Sequence, residues 1–154
     1  MNSIPALFAC IEAQEHRFQN FLARLTAQES FSLDRESVSL AAELTAAFAK
    51  ELGFSVEEHP FPRAGSGLVV SRETGSVSAP IGFVAHLDTV HPAGSFPDSL
   101  KPAPEGGLYG PGIVDCKGGV AVALLAMYAL KELGFSRPLR LLLTPEEEVS
   151  NRRT

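Results

Sequence analysis

An α/β fold is predicted by three observations. Hydrophobic spacing switches between a helical period and strand-like runs along the chain. Two of those runs are short and nearly continuous, and Gly or Pro marks most of the changes. A length of 154 residues suits one domain, and 45% apolar residues is enough for an ordinary core.

The first helix is expected from about Ala6 to Ala27, where Leu7, Ile11, Phe18, Phe21, Leu22 and Leu25 recur at helical spacing. Ser30 to Ser32 reads as a polar loop. A second helix starts at Asp34 or Glu36 and runs to Leu52. Its apolar side is Val38, Leu40, Leu44, Phe48 and Leu52, and Gly53 is its stop. Phe54–His59 half-alternates as a strand ahead of Pro60 and Pro62, Gly67–Arg72 is the next candidate, and Gly75–Ser78 is a turn.

Pro80 to Ala85 is a nearly continuous apolar run, the pattern of a buried central strand. It delivers His86 and Asp88 to the strand's C-terminal end, where open α/β sheets place ligands. His91 to Gly107 is rich in Pro and Gly and reads as a long loop. A third helix, about Gly118 to Leu133, is apolar nearly all round from Val120 to Met127, so burial on most sides is expected. Gly134 caps it. Leu139 to Leu143 is another apolar strand, and an acidic run begins after Thr144-Pro145.

A net charge of −5 argues against a general nucleic-acid binder, since phosphate contacts need clustered Lys and Arg. The one basic pair, Arg152-Arg153, reads as a solvated tail. Val120 to Leu130 is too short for a membrane span. The N-terminus has no basic region, and Glu12 and Glu15 interrupt its apolar run, so no signal peptide is expected. Cys10 and Cys116 are read as reduced thiols in a cytoplasmic protein.

Three motifs carry the chemistry. In His86-Leu87-Asp88 the two polar residues share a strand face, so an imidazole could bind metal while a carboxylate orients it; the alternative is a strand-end His with a turn-forming Asp. Gly110-Pro111-Gly112-Ile113-Val114-Asp115-Cys116-Lys117-Gly118-Gly119 fails both the dinucleotide and the Walker spacing. Gly110 and Gly112 instead allow a tight turn beside a site, Asp115 points inward, and Gly118 and Gly119 let a helix start close to the sheet; the alternative is a plain turn with Asp115 as helix cap. Glu146-Glu147-Glu148 stands at a strand end, where adjacent carboxylates can divide metal binding from proton transfer; otherwise it is a solvated loop. His16, His59 and His91 read as solvated.

Taken together, these motifs resemble the zinc-dependent aminoacylase, glutamate carboxypeptidase, acetylornithine deacetylase and succinyl-diaminopimelate desuccinylase family of metallopeptidases. The resemblance runs from the first helix to Ser150, and its middle motif with Lys117-Gly118-Gly119 is the most specific part. It implies a mixed sheet flanked by helices, a zinc-peptidase-like catalytic domain, incomplete at the C-terminus. It also implies that His86 ligates one zinc, Asp115 bridges two, and Glu148 ligates the second. Asp88 would hold and polarise His86, and Glu147 would be the general base. This register follows from Thr144-Pro145 and Val149; the rival register makes Glu146 the base and Glu147 the ligand. A cis Asp115–Cys116 peptide is a further expectation.

Cys116 stands where the family often has Met or Asp, and Ser150 where it has Gly. The family's later acidic ligand, its C-terminal His and its inserted lid or dimerisation domain have no counterpart in residues 1–154. The chain is therefore expected to be the N-terminal portion of a catalytic domain, inactive alone, from a parent expected to be a homodimer. Its substrate would be a small peptide or N-acyl amino acid, with two zinc ions per complete site and cobalt or manganese possible. The alternative is a catalytically silent remnant, or a segment needing a partner chain.

Overall fold

The computed structural model describes residues 4–96, 100 and 107–149. Three helices, α1 (Ile4–Ala27), α2 (Arg35–Glu51) and α3 (Gly118–Glu132), accompany four strands, β1 (Ser55–Phe61), β2 (Gly65–Arg72), β3 (Ile81–His86) and β4 (Leu139–Thr144). Most of the predicted loop between Phe96 and Gly107, Ser150 and the Arg152-Arg153 pair lie outside the described residues.

Local chemistry sets the helix ends. Asp34 is the N-cap of α2 and accepts from the backbone N–H groups of Glu36 and Ser37, offsetting two donors that the first turn cannot pair. Gly53 follows α2 at φ +83°, a conformation that favours glycine. The buried stripe of α2 is Val38, Ala41, Ala42, Thr45, Ala46, Phe48 and Ala49, whereas the predicted Leu40 is exposed. Alanines at that spacing keep the helix near β2 without large side chains between them. Phe21 stacks on Phe48 at 4.1 Å and joins α1 to α2.

The sheet order is β1-β2-β4-β3. β1–β2 and β2–β4 are antiparallel, and β3–β4 is parallel, so the sheet is mixed. A parallel pair needs a crossover, and α3 supplies it between β3 and β4. Inward Leu68 and Val70 of β2 and Leu139, Leu141 and Leu143 of β4 form one core cluster with residues of all three helices. The opposite face carries the cross-strand row Val69–Leu142–Val84, with Leu142 and Val84 exposed.

Two expectations change here. Pro80 to Ala85 was expected to be a central strand, but β3 lies at one end of the sheet and β4 is central. Its residues alternate half-buried and exposed, because only one face meets the helices. The third helix is buried on most sides, as expected: Val120, Ala121, Ala123, Leu124, Met127 and Ala129 are buried, and from Val120 to Leu130 only Val122 is exposed. With the wide turn Ile113–Lys117 before it, this stretch reaches 20 residues, long and apolar enough to cross a membrane, so the sequence argument from shortness does not hold. It packs into the shared core through Val120, Ala121, Ala123, Leu124 and Met127, with Leu125, Tyr128 and Leu130 against that core.

Replacing Leu141 by Ala should lower the unfolding free energy by about 2–5 kcal/mol, since it removes a fully buried side chain from the central strand. Val84→Thr, on the exposed row, should change it by about 0.5 kcal/mol or less. Urea titration of both variants checks the pair, and equal losses would contradict the one-sided core.

Candidate metal centre

The parallel pairing of β3 and β4 aligns His86 with Thr144, and the ladder continues with the Leu87 N–H donating to the Thr144 carbonyl. The C-terminal ends of both strands therefore open side by side. His86 leaves one and the acidic run leaves the other. Asp88 closes the gap between them. Its Oδ1 accepts from the Glu147 N–H at 3.0 Å, and its Oδ2 from the Glu148 N–H at 3.2 Å and the Ser32 hydroxyl at 2.7 Å.

His86 is buried, and acceptors face both ring nitrogens. Nδ1 lies 3.1 Å from the Asp88 carbonyl and 3.4 Å from its carboxylate, while Nε2 lies 2.8 Å from Asp115 Oδ1. The Cys116 thiol sulfur accepts from the His86 backbone N–H at 3.2 Å. Asp115 sits in the wide turn, with φ −126° and ψ 99°, and its side chain is 73% exposed. The Asp115–Cys116 peptide is cis, as expected.

Glycines and a buried lysine position that turn. Gly112 has φ +71°, and a Cβ there would lie 2.7 Å from the Thr89 side chain. A Cβ on Gly118 would run into the Ile113 carbonyl, so its small size serves the turn rather than an approach to the sheet. Gly119 meets only ordinary contacts. Lys117 is fully buried and donates to the Gln28 carbonyl at 2.7 Å, just beyond α1.

The Gln28–Ser32 segment is thus a strap over the site. Besides the Lys117 bond, Ser30 donates to the Leu87 carbonyl at 2.7 Å, Ser32 to Asp88, and the Thr89 N–H to the Ser30 carbonyl at 2.8 Å. Sequence reading left Ser32 in a polar loop and gave Lys117 no role. A serine in a loop carries no periodic signal, and only its place beside a buried carboxylate reveals its use. His91 is also corrected: its ring packs against Phe96 at 4.6 Å and is half-buried rather than solvated.

The charges follow from this packing. Burial pulls the His86 pKa down, but bonds to Asp88, Cys116 and Asp115 outweigh it and raise the value to about 11. Burial alone would raise Asp88; His86, Ser32 and the Glu147 and Glu148 N–H groups hold it below the ordinary carboxylate value. Glu148 is raised by burial and by the charges of Asp115, Asp88 and Glu147, partly offset by His86. Burial lowers Lys117 to about 8, with Glu29 opposing.

Ligand atoms of His86, Asp115 and Cys116 lie within 4.8 Å of one another, a set that fits a cation. His86 Nε2 and Asp115 Oδ1 face each other at 2.8 Å, a pair of atoms that one cation would satisfy together. Glu148 borders the same cavity as Asp115. Glu147 is exposed and Glu146 fully buried.

Residues 82–153 match the family model described as Peptidase family M20/M25/M40. Carboxypeptidase G2 from Pseudomonas sp. (strain RS-16) is 33% identical over 118 residues. The chain is similar to this metallopeptidase family. The aligned region covers 73% of this chain and 28% of the carboxypeptidase. Among solved structures, the dipeptidase Dug1p from Saccharomyces cerevisiae matches with TM-score 0.80 and 18% identity over 97% of this chain and 36% of its own. Human carnosine dipeptidase 1 matches with TM-score 0.79 and 21% identity, over 96% and 35%. At these identities the two structures support the fold, that of the predicted zinc-peptidase-like catalytic domain. The chain spans about a third or less of the length of these relatives.

Ser32→Ala removes a donor from a buried carboxylate and should lower stability by about 1–3 kcal/mol in urea titration, while a loss below about 0.5 kcal/mol would contradict the strap. His86 binds its proton more tightly when folded. In the metal-free protein its stabilising effect is full below pH 6.5 and fades as pH rises towards about 11. Urea midpoints taken from pH 6 to pH 9 should fall less steeply in His86→Asn than in the parent.

Proposed function

We propose that this chain carries the first half of the catalytic site of a metal-dependent amide hydrolase, a peptidase or N-acyl amino acid deacylase. The observation that carries this reading is the convergence of His86, Asp115 and the Glu146–Glu148 run at two adjacent parallel strand ends, with Asp88 bonded to Glu147 and Glu148.

His86, Asp115 and Glu148 are the residues that would hold metal. Two zinc ions per complete site, or cobalt or manganese in their place, would supply polarisation of the scissile carbonyl and a water acidified to near neutrality. Asp115 reaches outward from a braced turn, which suits a residue shared between two ions. Asp88 fixes the His86 ring and the Glu147–Glu148 backbone from below. Glu147 has its side chain in solvent, free to take a proton from water and return it to the leaving amine. Burial of Glu146 and the place of Glu148 beside Asp115 support this register over the one that makes Glu146 the base.

Zinc sites normally hold at least three protein ligands, and His86 with Asp115, or Asp115 with Glu148, supplies two. The remaining ligands would come from further residues of a longer polypeptide or from a partner chain, with the parent a homodimer. Exposed Leu142 and Val84 on the outer face of the sheet support that completion, since among the described residues nothing covers them fully. The substrate would be a small peptide or N-acyl amino acid, met in the cytoplasm, where the two free thiols stay reduced.

Elemental analysis after zinc loading and desalting should find fewer than two zinc ions on the 154-residue chain, with no hydrolysis of N-acyl amino acids. Two tightly held ions would overturn the half-site. In the completed enzyme, Glu147→Gln should cost about 100-fold to 10,000-fold in kcat and leave metal content intact, and retained turnover would remove Glu147 from its role.

A further inference from the structure

The cavity bordered by Asp115 and Glu148 continues away from them between two loop segments, one after β3 and one before the wide turn. Three rings wall it in sequence. His91 packs edge-on to Phe96 with centroids 4.6 Å apart, and Phe96 lies 5.3 Å from Tyr109. Val90, Leu108 and Val114 extend the apolar surface and are all exposed, Val114 at 93%.

The charge pattern is as informative as the rings. Among the described residues lining this cavity, no Lys or Arg appears, and the carboxylates stand only at the end that Asp115 and Glu148 occupy. A carboxylate side chain on the substrate would meet like charge at one end and apolar walls at the other. An aromatic or branched apolar group would cover exposed hydrocarbon and meet ring edges.

We infer that this pocket receives an aromatic or branched apolar group next to the scissile amide, so the preferred substrates are apolar rather than acidic. The inference rests on the hydrolase reading for the scissile amide and for the group's being part of a substrate. The pocket itself needs no metal to bind such a group.

Tyr109 is one of only two tyrosines in the chain, so 3-fluorotyrosine labelling gives one fluorine signal at the pocket and one, from Tyr128 on α3, as control. Titrating the labelled protein with N-acetylphenylalanine should shift the Tyr109 signal saturably and leave Tyr128 in place. N-acetylaspartate should not move it. Phe96→Ala should weaken the response at least about 5-fold, by loss of a ring contact. Val114→Lys, at an exposed position on the pocket wall, should reverse the preference towards N-acetylaspartate. A Tyr109 response supports the pocket with or without zinc uptake, since the half-site is itself expected to hold fewer than two ions, and turnover of the completed enzyme tests the hydrolase reading separately. No Tyr109 response, or an equal response to both ligands, overturns the pocket.

Discussion

A carboxylate with no access to water organises this protein. Asp88 is fully buried, and an ion in that position persists only where donors replace its hydration. The donors come from three places: the hydroxyl of Ser32, the backbone of Glu147 and Glu148, and the ring of His86. To bring them together, α1 must hand over to the strap, β3 must end at the level of β4, and the acidic run must curl back over the strand ends. Satisfying one charge thereby fixes the relative place of three chain segments distant in sequence.

Asp115 answers a different demand. Its side chain is largely exposed, and its position is set from behind by the turn. Gly112 and Gly118 allow the backbone to fold tightly there, and Lys117 ties it to the carbonyl of Gln28. Two aspartates in neighbouring motifs thus divide the work. One is held inside and shapes the scaffold; the other is held out and meets whatever enters. The opposite environments come from the backbone around each, since the residue type is the same.

Much of this was legible in the sequence. Periodicity located the helices, because a one-sided core imposes spacing on Phe18, Phe21 and Leu25 and on Val38 and Phe48. The motif order marked the strand ends and the residues that gather there, and the family resemblance implied the cis peptide. What stayed hidden has physical reasons. Ile81 to Ala85 is apolar on both faces, and a run of that kind reads the same at a sheet's end as in its middle. The alanines of α2 give a weaker signal than leucine, so Leu40 was placed inside when it faces out. Ser32 and Lys117 act through partners more than fifty residues away, which no local pattern encodes.

The strand order also governs when the protein can exist. Of the described strands, β4 is made last and lies between β2 and β3, which share no ladder of their own. As the chain emerges from a ribosome, β3 has no strand to pair with until α3 and then β4 have followed it. His86 and Asp88 wait through that interval without the Thr144 carbonyl or the Glu147 and Glu148 backbone that secure them. Early intermediates would be a helical pair with the β1–β2 hairpin, and non-local closure by β4 would be the slow step. A cation arriving before that closure would find loose ligands, so assembly of this centre is tied to the end of synthesis of this segment rather than to its beginning.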